Sequence, residues 1–210
     1  MAQGTAEAAA AAESGAAKHL LFRWRGWGVI ALGAALLLAH WLILGPPSPR
    51  LWFALAALPL VLLGACFRVW ARCYFTRGSD TRRIQAHRLV IAGPYRRVRN
   101  PLYVGNMAVA VGLALGFLGP WSAAALLLAL IVLYSGVIRS EETILGQTWG
   151  ASYADFRRQV PRWIPRLVPL PADPESPAPE LGHALKKEAR RIAGALAAWG
   201  LALVLVLSSG

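Results

Sequence analysis

The residues best equipped for chemistry lie in His87–Gly105, HRLVIAGPYRRVRNPLYVG, where four arginines, one histidine, two tyrosines and two prolines fall within nineteen residues. Long apolar runs flank the stretch, so its polar groups are held at a membrane surface. Glu141 and Glu142, about forty residues further on, directly follow another apolar run. Unpaired carboxylates next to a membrane interior are costly, so this pair needs partners. Two arrangements satisfy that need. In one the glutamates pair with the arginines of the basic stretch or face water. In the other they join His87, Tyr95 and Tyr103 in a polar site roofed by Trp149 to Pro165 and floored by a helical bundle. A mixture of Glu, His and Arg suits a small molecule carrying both cationic and anionic groups. Taken singly, each residue has an ordinary explanation: Tyr103 as an interfacial aromatic, Gly93-Pro94 as a turn, Arg96 and Arg97 as headgroup contacts. The case for a site rests on the constellation.

Composition sets what must position these residues. With 57% hydrophobic residues, 15% charged residues and a mean hydropathy of +0.48, the chain of 210 residues is too apolar for a soluble domain and reads as an integral membrane protein. The net charge of +12 comes from basic residues that flank apolar runs rather than from a basic module interleaved with stacking aromatics. It therefore indicates loops facing the cytoplasm and not nucleic-acid binding. Cys66 and Cys73 stand seven apart in an apolar helix with no His or Cys pair at metal-ligand spacing, so they are expected to be buried free thiols, and no metal site is expected.

The pattern along the chain predicts an all-α, polytopic transmembrane helix bundle of about five spans. Residues 1–19 form an alanine-rich tail without the apolar core of a secretory signal, expected to be disordered. Residues 20–75 carry two spans: Gly28–Leu44, bracketed by Trp24, Trp27 and Trp41, and Leu51 to about Tyr74, with Pro59 as a kink. Arg68 and Arg72, in the last turns of the second span, are expected to snorkel to the headgroups. Residues 76–166 form the core. There Pro101–Leu118 and Trp121–Ile138 are equal arms about a Gly119-Pro120 turn, each about 27 Å long at 1.5 Å per residue. Equal arms return the chain to its starting side, bringing Arg139, Glu141 and Glu142 beside His87–Tyr103. A proline-rich linker and basic segment over residues 167–191 lead to the last span within 192–210, whose apolar run is slightly short unless Lys186, Lys187, Arg190 and Arg191 snorkel. With the amino terminus inside, every Lys and Arg except Arg50 lies on the cytoplasmic side, which places the site there too.

The succession HRLVIAGPYRRVRNPLYVG, RSEETIL and WGASYADFRRQVPRWIP, covering Arg82 to Pro165, resembles the isoprenylcysteine carboxyl methyltransferase and phospholipid methyltransferase superfamily of integral membrane enzymes. The family pattern runs His-x-Leu-Val, Gly-x-Tyr, Arg-His-Pro-x-Tyr-x-Gly, then a Glu-Glu pair, then Gly-x-x-Tyr and a Val-Pro segment. The resemblance implies a methyltransferase that uses S-adenosylmethionine without a Rossmann domain. His87, Leu89, Val90, Tyr95, Asn100, Pro101, Tyr103 and Glu141 would hold the cofactor, and Arg139 and Glu142 would serve the reaction. Asn100 stands where the family usually has histidine. Val137 stands where the prenylcysteine enzymes carry an arginine for the substrate carboxylate, leaving Arg139 as the neighbouring candidate. The acceptor implied is lipidic or isoprenoid, drawn from the bilayer, with no protein partner indicated. Two other classes compete. Sterol-type membrane reductases, which bind NADPH, share a related motif, but this chain has Leu102 and Gly105-Asn106 where they differ. A non-catalytic membrane protein binding anionic lipid would need only the arginines.

Overall fold

The structure, a computed structural model, describes residues 28, 29, 31–45, 50–74, 89–171, 176 and 178–208. The alanine-rich tail, His87 and part of the proline-rich linker lie outside the described residues. All regular structure among the described residues is helical: α1 (Ala31–Leu44), α2 (Leu51–Arg72), a short 3-10 turn (Gly93–Arg96), α3 (Pro101–Leu118), α4 (Pro120–Gln159) and α5 (Leu181–Ser208). Helices α2 to α5 are each long and apolar enough to cross a bilayer, and α1 is a shorter apolar helix. The chain is an integral membrane protein.

The hairpin forms where the sequence places it. Pro101 opens α3, Gly119 stops it with φ 80 and ψ −177, and Pro120 opens α4. Proline at a first helical position loses no hydrogen bond, and glycine alone takes such a φ without strain. The 18 residues of α3 leave little slack for crossing about 30 Å of hydrocarbon. The second arm, however, does not stop at Ile138. Helix α4 runs for 40 residues, because the segment after Ile138 has no proline and is rich in helix-compatible side chains. The hydroxyls of Thr143 and Thr148 donate back to the carbonyls of Arg139 and Ile144, both at 2.9 Å. The helix breaks direction only at Gly150, with φ 48 and ψ −120.

Helices α2 and α3 pack through small residues. A methyl group on Gly64 would stand 2.8 Å from the Gly105 carbonyl oxygen, and one on Gly105 would stand 2.9 Å from that of Gly64. This backbone approach is how apolar helices associate where lipid removes the hydrophobic drive. Helix α5 begins at Leu181 rather than at Ile192, so its 28 residues remove the shortfall seen in the apolar run alone. Its buried positions, Ala184, Glu188, Ala195 and Ala202, recur at four- and seven-residue spacing and so form one stripe. At one end of that stripe the Trp199 indole N–H donates to the Ala54 carbonyl at 2.7 Å. His40 of α1 lies 2.9 Å from the Ser122 hydroxyl of α4, a polar tie between the two helices.

At the other end of the stripe lies Glu188, with no exposed surface. Arg68 and Arg72 therefore do not snorkel: both are buried and turn inward to this carboxylate. The Arg68 Nη2 and Nε donate to Oε2 at 2.7 and 2.9 Å, and the Arg72 Nε donates to Oε1 at 3.2 Å. Another Arg68 nitrogen donates to Asn106 of α3. An inward carboxylate on α5 outcompetes the headgroups, because a guanidinium near hydrocarbon is held best by a paired charge. The cysteines are free as expected, but Cys66 is exposed on the lipid side and only Cys73 is buried.

Removing one partner of a buried ion cluster leaves an uncompensated charge, costing about 3–5 kcal/mol, whereas overpacking costs about 1–3 kcal/mol. Glu188→Ala is therefore expected to destabilise the protein more than Gly64→Ala, with Glu188→Gln between them, in equilibrium unfolding from mixed micelles. Equal stability of Glu188→Ala and the parent would remove the cluster from the account of the fold.

Candidate functional site

The motif end of the bundle, where α3 begins, collects most of the polar residues singled out by the sequence. The chain enters through Leu89 and Val90, both partly buried, and turns at Gly93, whose φ of 53 suits glycine. The Tyr74 ring lies against that glycine where a side chain would project. Pro94 is fully buried, and Arg97 and Val98 close the turn through N–H bonds to its carbonyl at 2.9 and 3.0 Å. This places Tyr95 against the bundle. Burial pushes the Tyr95 hydroxyl far above the usual phenol range; Arg72 and Arg68 pull it down and Glu141 pushes it up. Tyr95 thus feels the arginines of the ion cluster and Glu141 together.

Asn100 precedes fully buried Pro101 at the N-terminus of α3. Asparagine there ordinarily caps the helix with its side chain. Here it makes no capping bond, and its Nδ2 is buried without a partner among the described residues. One turn on, the Tyr103 hydroxyl donates to Glu141 Oε1 at 2.7 Å, and its ring lies 4.7 Å from that of Tyr134. The hairpin therefore does bring Glu141 beside the basic stretch.

Glu142 is buried and shared between two arginines. Arg162 Nη2 donates to Oε2 at 2.6 Å, Arg162 Nε donates to Oε1 at 3.2 Å, and Arg99 Nη2 lies 3.4 Å from Oε1. The remaining Arg99 side-chain nitrogens, Nε and Nη1, are buried without a partner among the described residues, as is the Trp149 indole nitrogen. Arg139, by contrast, is exposed.

The roof has two parts. Beyond Glu142, Tyr153, Phe156 and Val160 form a small core with Leu89, Ile91, Leu145, Trp149 and Leu170 packed on it. After α4 the chain doubles back as residues 161–170 along the basic stretch. The Arg99 N–H donates to the Pro161 carbonyl at 2.9 Å, the Arg166 N–H to that of Arg97 at 2.9 Å, and the Leu170 N–H to that of Arg96 at 3.0 Å. Arg96 and Arg97 in turn donate from their side chains to the carbonyls of Leu170, Arg166 and Leu167. Trp163 packs on the core that contains Tyr103 and Tyr134.

Among the predicted residues, Leu89, Val90, Tyr95, Asn100, Pro101, Tyr103, Glu141 and Glu142 lie at this end, Arg139 lies outside the cluster, and His87 is not among the described residues. Sequence reasoning did not single out Arg99, Trp149 or Arg162. Arg162 carried a signal in its place inside the VPRWIP segment, and Arg99 in its place beside Asn100. Among the described residues, no group of three or more His, Cys, Asp and Glu is arranged to hold a metal ion.

Comparison with known proteins matches residues 52–152 to the family described as Phospholipid methyltransferase. The nickel-cobalt-cadmium resistance protein NccN of Alcaligenes xylosoxydans xylosoxydans is 34% identical over 120 residues, covering 55% of this chain and 53% of that protein. Protein-S-isoprenylcysteine O-methyltransferase B of Arabidopsis thaliana is 30% identical over 118 residues, covering 54% and 60%. The probable protein-S-isoprenylcysteine O-methyltransferase of Oryza sativa subsp. japonica is 30% identical over 128 residues, covering 59% and 67%. The chain spans about half the length of the metal-resistance relatives it matches. No solved structure matches it.

Tyr153 offers a test of the geometry around Glu142. Burial, and then the Glu142 charge, push its hydroxyl up to about 12. In the unfolded chain tyrosine ionises near pH 10, so stability falls as pH rises from about 10 to about 12, because the unfolded phenol releases its proton first. The step in phenolate absorbance that disappears in Tyr153→Phe is expected to move to lower pH in Glu142→Gln. An unmoved step would separate Glu142 from Tyr153.

Proposed function

This chain belongs to the isoprenylcysteine carboxyl methyltransferase and phospholipid methyltransferase superfamily, and on that premise we propose that it is an S-adenosylmethionine-dependent methyltransferase acting on a lipidic or isoprenoid acceptor from the bilayer. The observation that carries the reading is the 2.7 Å bond from Tyr103 to Glu141, which joins the two motif halves at one end of the hairpin. The residues present fit such a donor. Its ammonium and ribose hydroxyls call for acceptors, which the Glu141 carboxylate supplies. Its carboxylate and ring nitrogens call for donors, and Asn100 Nδ2, Trp149 Nε1 and Arg99 Nε and Nη1 are buried donors without partners among the described residues. A buried donor left unmatched costs about 1–3 kcal/mol, so these atoms favour a ligand with acceptors. Leu89, Val90 and Pro101 would bound the apolar parts, with Tyr95 and Tyr103 beside them.

When bound, S-adenosylmethionine supplies an electrophilic methyl group on a sulfonium. The chain's own contribution is alignment, worth up to about 7–11 kcal/mol when reacting groups are held in line. The proline-started α3 and the continuous α4 supply that rigidity, since Tyr103 and Glu141 both sit on helices rather than loops. Glu142 has its carboxylate committed to Arg162 and Arg99, so its part in the reaction is to hold the roof down and limit water. Arg139, exposed one turn or less from the glutamates, is the candidate to meet an anionic acceptor group. With such an acceptor no base is needed, whereas a protonated amine or thiol would need one. The arginine-rich motif end faces the cytoplasm by the positive-inside rule, so the donor enters from water and the acceptor from lipid.

The test is equilibrium binding of S-adenosylmethionine, with NADPH as the competing ligand, to purified protein in nanodiscs. S-adenosylmethionine is expected to bind saturably and NADPH not. Glu141→Gln should weaken binding roughly 10- to 100-fold, as for loss of a charged hydrogen-bond acceptor. Preferential binding of NADPH would overturn the proposal. Transfer from methyl-labelled donor into fractionated membrane lipids then identifies the acceptor.

A further inference from the structure

The segment from Pro161 to Leu170 presents two contrasting faces. Arg162 and Trp163 turn inward, to Glu142 and to the Tyr103 core. Ile164, Leu167 and Val168 turn outward with 78%, 93% and 70% of their surface exposed, which would be an unfavourable display in water. We propose that this segment is an interfacial strap seated in the headgroup layer of the protein's own bilayer, with Ile164, Leu167 and Val168 entering the apolar boundary and the neighbouring arginines meeting anionic lipid.

Three features place it there. Height is the first: its three backbone rungs go to Arg96, Arg97 and Arg99, immediately before α3. With only 18 residues, α3 has no slack, so its first turn lies at the hydrocarbon boundary and the strap lies beside it. Backbone satisfaction is the second. Pro161, Pro165 and Pro169 have no N–H to hydrate, and the carbonyls of Pro161, Arg166, Leu167 and Leu170 already accept bonds from the basic stretch. The groups matched in this way lower the cost of seating a non-helical segment at the boundary, where headgroup water reaches the polar groups that remain. Charge is the third. Arg157 and Arg158 are exposed just before the strap, and Arg166 is partly exposed within it, a juxtaposition that attracts anionic headgroups. The occupant of this face is thus the bilayer rather than a soluble partner.

The inference goes beyond methyl transfer, and its test does not read activity. In a Cys66→Ala, Cys73→Ala background, spin labels are placed at Leu167→Cys, at Leu128→Cys in the middle of α4's spanning part and at exposed Asp155→Cys. The protein is held at one copy per nanodisc, and labels are compared for access to oxygen and to a water-soluble nickel chelate. The label at position 167 is expected to favour oxygen as position 128 does. Replacing part of the phosphatidylcholine with phosphatidylglycerol should reduce its access to the chelate further, and Arg157→Gln with Arg158→Gln should abolish that dependence. Chelate access equal to that of position 155 would overturn the proposal. So would protection that appears only with two copies per disc, since a second chain would then cover the face. Chelate access unaffected by phosphatidylglycerol would overturn the anionic-lipid part.

Discussion

Glu188, Glu141 and Glu142 lie at one end of a bundle made mostly of hydrocarbon side chains, and the need to match each carboxylate with donors governs how that end is built. Glu188 on α5 is met by Arg68 and Arg72 of α2, and Arg68 reaches on to Asn106 of α3. Glu141 on α4 is met by Tyr103 of α3. Glu142 is met by Arg162 of the strap and Arg99 of the basic stretch. No two of these carboxylates connect the same pair of elements, so matching three charges ties four helices, the basic stretch and the strap together. In a low-dielectric setting each tie is lost as a whole or kept as a whole, because a half-matched group is the costly state. The end of the bundle that carries the motif is therefore also the end with the strongest directional bonds.

The spanning parts are held differently. Between Gly64 and Gly105 backbone meets backbone, and along α5 a stripe of alanines faces inward while leucines and valines face lipid. Such contacts are numerous and individually weak, and they fix distance better than they fix rotation. Trp199 at the Ala54 carbonyl and His40 at Ser122 add two directional bonds along the helices. The apolar length of the bundle is thus held by many weak contacts, and its polar end by a few strong directional ones.

Much of this was legible in the sequence where a rule acts locally. Pro101, Gly119 and Pro120 fix the hairpin through backbone geometry alone, and matched arms then imply that Glu141 returns to Tyr103. What could not be read was any feature decided by a distant competitor. Arg68 and Arg72 looked like snorkelling residues because Glu188, their partner, lies 120 and 116 residues away on a helix whose start at Leu181 was hidden by its charged first turns. The run of α4 to Gln159 was missed because the apolar pattern ends at Ile138 while helix-compatible residues continue. Cys66 was placed inside by its apolar surroundings, but in a bilayer the outside is apolar too.

The distinction between matched and unmatched polar groups also separates scaffold from site. Glu142 sits where a reaction group was expected, yet its two oxygens are committed to Arg162 and Arg99, and a carboxylate so held would surrender bonds in order to react. Asn100 is the opposite case. It occupies a helix N-cap position without capping, beside a proline that needs no cap, and its amide nitrogen is buried with no partner among the described residues. A buried donor without such a partner is costly, and it is on this donor that the proposed site draws. The same holds for Trp149 Nε1 and for Arg99, which gives Glu142 one nitrogen and leaves two others unmatched. Asparagine at position 100 thus keeps a hydrogen-bond donor where histidine would bring a ring that titrates near neutral pH.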